Sequence, residues 1–397
     1  MNQNWIKEIQ NRVGKVPISS GRNNKTNRVS FDDLVFIPAQ LAKRPVDYFC
    51  EEITSKRIIG KNSKKPIEIE TPIIFGAMSF GALSREAKIA LAKASTLTGT
   101  IANTGEGGML SEEREFAKYL TIQYSTGRFG ISEEVLNKAN VIEIKIGQGA
   151  KPGQGGLLPK EKVTEKIAEV RNVEKGKDIH SPAYHPDIEN AEDLKKKIDW
   201  LRELTGGVPI ILKLGAGDVE NDIKLAVKAN PDIIAIDGME GGTGAAPEVM
   251  LDEVGIPILA ALSIARGVLD KLEARQELWV GGGLNKGADF AKALALGADA
   301  VFCAFPLLIA MGCAYCQQCY LGRCVKGIAT QDPELRKNFK IEEASRNIVS
   351  YIKNCTKEIM MITGACGEDS VYKLNRTHLR ALNSEIAKIA KIRLISE

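Results

Sequence analysis

The chain has 397 residues, 44% of them hydrophobic and 26% charged, and carries a net charge of +4. That length suffices for one large core with extensions or for two to three domains, and so small a net charge argues against a grip on nucleic acid or on a membrane surface. No apolar run approaches a membrane span, and MNQNWIKEIQ lacks the apolar stretch of a secretion signal, so a cytoplasmic protein is expected.

Residues 1–71 read as an N-terminal extension that packs on the main body. NWIKEIQNRV has a weak amphipathic helix pattern, and Pro17 to Arg28 is a polar, turn-rich linker. FDDLVFIPAQLAKRP mixes apolar and turn residues, and Ile67 to Ile69 reads as a short strand that lines or caps something.

From Pro72 a strand–loop–helix unit repeats. Eight strands are expected: PIIFGAM (72–78), TIANTGEGG (100–108), VIEIKIG (141–147), VPIILKLG (208–215), DIIAIDG (232–238), IPILAAL (256–262), LWVGGG (278–283) and ADAVFCA (298–304). Helices are expected from the Ser84 cap to Ser95, then over Lys160–Val170, Asp193–Leu204, Val219–Ala229, Ile264–Leu272 and Lys286–Leu296. The pattern predicts a (β/α)8 barrel over residues 72–311, the alternative being a doubly wound open sheet. The loops SFG, NTGEGG, QGAKPGQGG, DGMEGGTGA and GGGLNKG all follow strands, and a barrel gathers every one at a single mouth. An open sheet would gather only those at its switch point. Residues 312–331 form a cysteine loop, and residues 332–397 a helical extension with long helices at Glu342–Met361 and Asn375–Leu394.

The glycine loops hold Gly241, Gly242, Thr243 and Gly244 after the fifth expected strand, and Gly281, Gly282 and Gly283 after the seventh. Glycine lets backbone N–H groups approach a phosphate, and a helix starting after Gly244 would add its positive end. The bland alternative is a pair of tight turns. The small residues of GAMSFGAL would suit a flat flavin ring. Lys213 lies inside an apolar strand, where a lysine needs a bound anion or a partner such as Asp237 or Glu106. Glu106 sits in a glycine loop, free to face the mouth or to remain an exposed acid. His180 and His185, near Asp187, more readily shape a loop than bind metal, and Cys366 is an extra ligand or, the favoured reading, a simple buried thiol.

Half of the eight cysteines, Cys313, Cys316, Cys319 and Cys324, lie within twelve residues. Thiolates at this spacing can converge on one metal centre, and cysteine use of this kind suits a reducing compartment. An iron–sulfur cluster, structural zinc and unliganded core thiols are the alternatives.

In chain order, FDDLVFIPAQL, GAMSFGALS, ANTGEGG, GRFG, KIGQGAKPGQGG, HSPAYHPDI, DGMEGGTGAAP, GGGLNKG, the CYLGRC segment and GIATQDPELRKNF resemble the FMN-binding synthase domain of the glutamate synthase large subunit, over about residues 28–365. The resemblance implies a (β/α)8 barrel that holds FMN and an iron–sulfur cluster and reduces 2-iminoglutarate, formed from 2-oxoglutarate and ammonia, to L-glutamate. Glu106, Lys151 and Arg171 match residues near the substrate. The glycine loops match phosphate contacts and Met78–Ser79 the loop on the flavin; Ala77, Asn103, Gln148, Lys213 and Asp237 complete the expected cofactor set. Cys313, Cys319 and Cys324 match the cluster ligands. Cys316 is extra, so both a 3Fe–4S and a 4Fe–4S cluster are open.

The sequence also departs from the family. Leu157 stands where the family has a Gln that helps bind 2-oxoglutarate, Gln154 replaces an acid, and KLGAGDV and SIAR depart from the usual motifs. These changes keep open a different small imine or carbonyl-derived substrate, or a non-catalytic electron-transfer subunit. No glutaminase domain with a leading cysteine is seen, nor a nucleotide-binding Rossmann unit. Ammonia would come from a separate glutaminase subunit or from solution, and electrons from a ferredoxin-like protein or an NAD(P)H-oxidising subunit.

Overall fold

The computed structural model describes residues 4–14, 16–23 and 29–397. Eight parallel strands lie at its centre: β1 (Ile73–Phe75), β2 (Ile101–Asn103), β3 (Tyr119–Tyr124), β4 (Val141–Lys145), β5 (Ile210–Gly215), β6 (Ile233–Asp237), β7 (Glu277–Gly281) and β8 (Ala300–Cys303). Their order around the sheet is β1-β8-β7-β6-β5-β4-β3-β2. The two end strands meet where the Thr100 hydroxyl donates to the Ile73 carbonyl at 2.6 Å, so the sheet is a nearly closed (β/α)8 barrel. No helix among the described residues is long and apolar enough to cross a membrane.

One expected strand is not formed and one strand was not foreseen. IPILAAL is the start of a helix, Ile258–Lys271, that begins directly after Pro257. Its buried residues Ile258, Leu259, Ala261, Leu262, Ala265, Val268 and Leu269 recur at helical spacing, which a seven-residue window does not reveal. The strand not foreseen is β3. Its Leu120, Ile122 and Tyr124 are buried outward among the helices, while Thr121 and Gln123 face the lumen, so half the strand is polar and it does not read as an apolar run. The two errors cancel in the count, and the third, fourth and fifth expected strands are β4, β5 and β6.

Side chains on the inner faces change character along the axis. Val141, Ile211 and Ile233 sit at the strand starts and Glu143, Lys145, Lys213 and Asp237 towards the ends. At the start end an antiparallel hairpin, Arg57–Ile59 with Ile67–Ile69, plugs the barrel. Ile59, Ile67 and Ile69 pack there with Ile74, Ile101, Ile211 and Trp279 in one buried apolar cluster. The strand expected at Ile67–Ile69 thus caps the barrel floor.

Outside, helix Arg85–Leu97 begins at Ser84, whose hydroxyl accepts from Ala87 N. Helix Ile341–Ala365 lies against it, and Arg336 grips Glu86 with two hydrogen bonds of 2.8 Å. The second long C-terminal helix is not formed. Asn375 and Asn383 each cap a new turn, and between them Leu379–Ala381 pairs antiparallel with Leu34–Phe36 before a short helix, Ser384–Ala390. The Lys160–Val170 helix is split: Lys160–Lys162 is a 3-10 turn, and Thr164 caps a separate helix, Glu165–Arg171.

The N-terminal linker also holds structure. Ile18–Gly21 pairs antiparallel with Thr243–Pro247, so the residues after Gly244 are a strand and no helix dipole starts there. Residues 24–28 of the linker lie outside the described residues.

Candidate active site

One cavity opens at the C-terminal ends of the barrel strands and reaches from the glycine loops to the cysteine loop. Its polar floor is set by strand geometry. Glu143, fully buried in β4, accepts from Lys213 Nζ at 2.8 Å, from Asn103 Nδ2 at 3.1 Å and from Gln123 Nε2. Lys213 therefore pairs with Glu143 rather than with Asp237 or Glu106. Asp237, at the end of β6, accepts from Gly149 N at 3.0 Å. Burial raises its pKa against the pull of Lys213.

Two residues beyond Glu143, Lys145 reaches Glu106 at 2.9 Å and the Gln148 side chain at 2.7 Å. Burial pushes the Glu106 carboxyl up, but Lys145, then Lys151 and Arg171, outweigh it and hold the pKa at about 2. A Cβ on Gly156 would sit 2.0 Å from Glu106 Oε1, so only glycine admits the carboxylate here.

Lys151 donates to the Ala245 carbonyl at 3.0 Å. Burial brings its pKa down to about 8, with Glu106 pulling the other way. Arg171 ends its helix inside the cavity and donates to the Phe80 carbonyl at 2.6 Å, with its guanidinium 5.7 Å from the Phe129 ring. Burial lowers its pKa to about 10, and its Nε is buried with no hydrogen-bond partner. Leu157 lines the same cavity with Leu158 and Phe129, whereas Gln154 is exposed and does not line it.

His185 supports this group from behind. Burial lowers its pKa to about 4, so it is neutral at pH 7, with Nε2 2.8 Å from the Lys145 carbonyl and Arg128 on Nδ1. It shapes the loop near the site, while His180 is exposed.

Ala77, Met78 and Ser79 line the cavity from the β1 loop, and Gly241, Gly242, Thr243, Gly244, Gly282 and Gly283 line it from the loops after β6 and β7. Gly282 and Gly283 have φ of +103° and +76°. No atom lies within 4 Å of where a Gly244 side chain would start, so the space beside this loop is open. Behind the β1 loop, Lys88 donates to the carbonyls of Met78, Asn103 and Thr104 and pairs with Glu113 at 2.9 Å in full burial. A Cβ on Gly105 would sit 2.6 Å from Ser79 N, so the β1 and β2 loops touch only because this residue is glycine. The β1 loop and the open glycine loops fit a flavin mononucleotide. Gln148, Lys213 and Asp237 line the cavity too, whereas Asn103 and Gly281 stand behind it.

All four clustered cysteines line the cavity's outer end. They are free thiols, and among the described residues no three or more His, Cys, Asp or Glu side chains are grouped to hold a metal ion. Burial raises the pKa of Cys313, and that of Cys319 to about 11; the neighbouring thiols add to both rises. Tyr315 and Gln317 hold left-handed backbone between them, with φ of +53° and +55°, a conformation non-glycine residues keep only where surroundings enforce it. The Lys162 ammonium stands behind the loop, 3.2 Å from the Cys319 carbonyl and 3.4 Å from that of Ala329. An all-sulfur donor set on one wall, backed by a buried cation, suits an iron–sulfur cluster in chemistry, although the thiols are not drawn into a ligand group. Cys366 is buried among core residues, as expected.

Sequence reasoning missed Glu143, Lys145, Lys88, Lys162 and Arg22. Lys145 had a signal. Two charges two residues apart in a strand otherwise made of Val and Ile must share the lumen, the argument already applied to Lys213. Lys88 lies in AKIALAKAS, where it looks like any helix lysine.

A family model described as the conserved region in glutamate synthase matches residues 3–369. An archaeal glutamate synthase [NADPH] of Archaeoglobus fulgidus is 39% identical over 97% of this chain and 81% of its own length. One from Methanocaldococcus jannaschii is 38% identical over 98% of this chain and 83% of its own. The glutamate synthase [NADPH] large chain of Bacillus subtilis is 37% identical over 80% of this chain, which spans 21% of that protein. Among solved structures, a flavocytochrome b2 variant with sulfite bound aligns over 91% of this chain and 80% of its own, with a TM-score of 0.59 and 17% identity, a likeness of fold.

Proposed function

The chain belongs to the glutamate synthase family, and from that premise we propose that it is an FMN- and iron–sulfur-dependent oxidoreductase that makes L-glutamate from 2-oxoglutarate and ammonia. The observation that carries the reading is the charge of the cavity. Lys145, Lys151 and Arg171 face one carboxylate, Glu106, which is spent on Lys145 at 2.9 Å. Lys151 and Arg171 are left with carbonyl and hydroxyl partners only, and the Arg171 Nε has none. Two buried cations without an ion pair of their own suit a dicarboxylate dianion.

When bound, the flavin supplies a two-electron step and the cluster a one-electron step. The protein's own residues bind, orient and handle protons. Arg171 and Lys151 hold the two carboxylates and fix the reacting carbon, and such positioning supplies much of the rate. Lys151, with a pKa of about 8, is protonated at neutral pH yet near enough to neutrality to release a proton. Glu106 stays ionised and steadies Lys145 instead of donating. Condensation of the ketone with ammonia releases water, and two electrons with two protons convert the imine to the amine.

Cys313, Cys319 and Cys324, with or without Cys316, are the proposed cluster ligands. Electrons come from a ferredoxin-like or NAD(P)H-oxidising partner, and ammonia from a separate glutaminase subunit or from solution. A second reading rests on Leu157. It lies in the cavity wall with Leu158 and Phe129, which favours a 2-oxo acid with an apolar tail.

The test is anaerobic. Photoreduced holoprotein is mixed with 2-oxoglutarate and ammonium, and recovery of flavin absorbance with formation of L-glutamate is expected. Recovery only with an apolar 2-oxo acid and ammonium would replace the first reading by the second. Recovery with neither would remove both.

A further inference from the structure

We infer that Arg22, on the N-terminal arm outside the barrel, grips the phosphomonoester end of the flavin, so that cofactor loading and docking of this arm are one event. The inference rests on the FMN reading above. Arg22 lies directly on both glycine loops. A Cβ on Gly242 would lie 3.4 Å from Arg22 Cγ, and one on Gly283 3.7 Å from Arg22 Nη2. Its Nη1 donates to Asn285 Oδ1 at 2.8 Å and its Nε to the Glu240 carbonyl at 3.3 Å, and the guanidinium lies 5.5 Å from the Phe305 ring centre. Asn285 is itself tied to the loop through the Gly283 carbonyl at 2.7 Å.

The guanidinium is aimed by neutral groups and, among the described residues, forms no ion pair. The two nearby carboxylates are engaged elsewhere: Glu240 Oε2 accepts from Ile258 N at 3.0 Å and Asp289 Oδ2 from Asn285 N at 3.0 Å. A half-buried guanidinium without an ion-pair partner among the described residues is costly, and a phosphate dianion in the open space beside Gly244 offsets that cost with paired, charge-assisted hydrogen bonds. The arm that carries Arg22 is held on both sides of the cavity. The Ser20 hydroxyl donates to the Gly244 carbonyl at 2.7 Å and accepts from Tyr320 N, in the cysteine loop, at 2.9 Å.

Flavin is stripped from the full chain, and FMN and riboflavin are titrated by quenching of flavin fluorescence, with inorganic phosphate as a competitor. Arg22→Ala is expected to weaken FMN by about ten- to a hundredfold, the scale of a lost charge-assisted pair. Riboflavin affinity should not change, Arg22→Lys should fall between, and phosphate should compete with FMN but not with riboflavin. Unchanged FMN affinity in Arg22→Ala, or an equal loss for both flavins, overturns the inference and leaves the FMN reading standing. Unaltered protein that binds neither flavin overturns the FMN reading itself, and the inference with it. Should the variants not fold, tryptic cleavage after Arg22 in the unaltered protein decides: slowing by FMN and not by riboflavin supports the inference, and equal cleavage with both overturns it.

Discussion

Lys151 decides how the site responds to pH. Burial holds its pKa at about 8, below the ordinary lysine value of 10.5, so the ammonium is present below pH 8 and lost above it. On the role proposed for Lys151, the grip on a substrate carboxylate is kept at neutral pH and fades as pH rises, and kcat/KM should fall above about pH 8. Lys151→Arg should move that limb to higher pH, because a guanidinium keeps its proton. Lys151→Met should lower kcat/KM by about ten- to a hundredfold at pH 7, the scale of one lost charge-assisted hydrogen bond. A limb that stays in place in Lys151→Arg would assign it to another group. At Gly282, φ is +103° and a Cβ would meet the Gly238 backbone at 2.9 to 3.1 Å. Gly282→Ala is expected to cost about 1–3 kcal/mol of stability and to weaken FMN, read by thermal melts with and without cofactor. Glu106 and Lys151 stood out in glycine-rich loops and Arg171 near a helix end, whereas the substrate role proposed for all three came from the family resemblance. Lys145 and Glu143 were passed over, although their spacing of two in an apolar strand carried the kind of signal that marked Lys213.

Elements were legible where their pattern was one-sided. Val219–Ala229 has its buried residues at helical spacing and a left-handed Asn230 at its end, and it forms as expected. β3 was missed because its lumen face is polar, and the Thr243–Pro247 strand because its partner, Ile18–Gly21, is far away in sequence. The cysteine loop makes the element-scale prediction. In protein purified without oxygen, Cys319→Ala should abolish the brown absorption, whereas Cys316→Ala should alter only the iron count. An unchanged spectrum and iron content in Cys319→Ala would remove Cys319 from the ligand set.

Across the whole molecule, stability and chemistry sit at opposite ends of one barrel. The floor, where the hairpin plug meets Trp279 and its neighbours, contains no residue of the cavity except Phe302, which packs at the cluster's edge. Trp279→Ala should cost about 3–5 kcal/mol in denaturant unfolding, with FMN affinity in the folded protein little changed. A loss of FMN affinity as large as the loss of stability would show that the two ends are coupled. The barrel itself was readable from strand–helix alternation, and its eightfold count came out right because the unforeseen β3 and the helix read as a strand offset each other.

The strap that carries Ser20 reaches Tyr320, three hundred positions further along. During synthesis this early segment leaves the ribosome long before either of its anchor points exists. It must wait, undocked, until both the β6 loop and the thiol-bearing loop have emerged. For that interval one side of the nascent barrel lacks its strap, and if Arg22 grips the flavin phosphate the strap comes down together with the flavin.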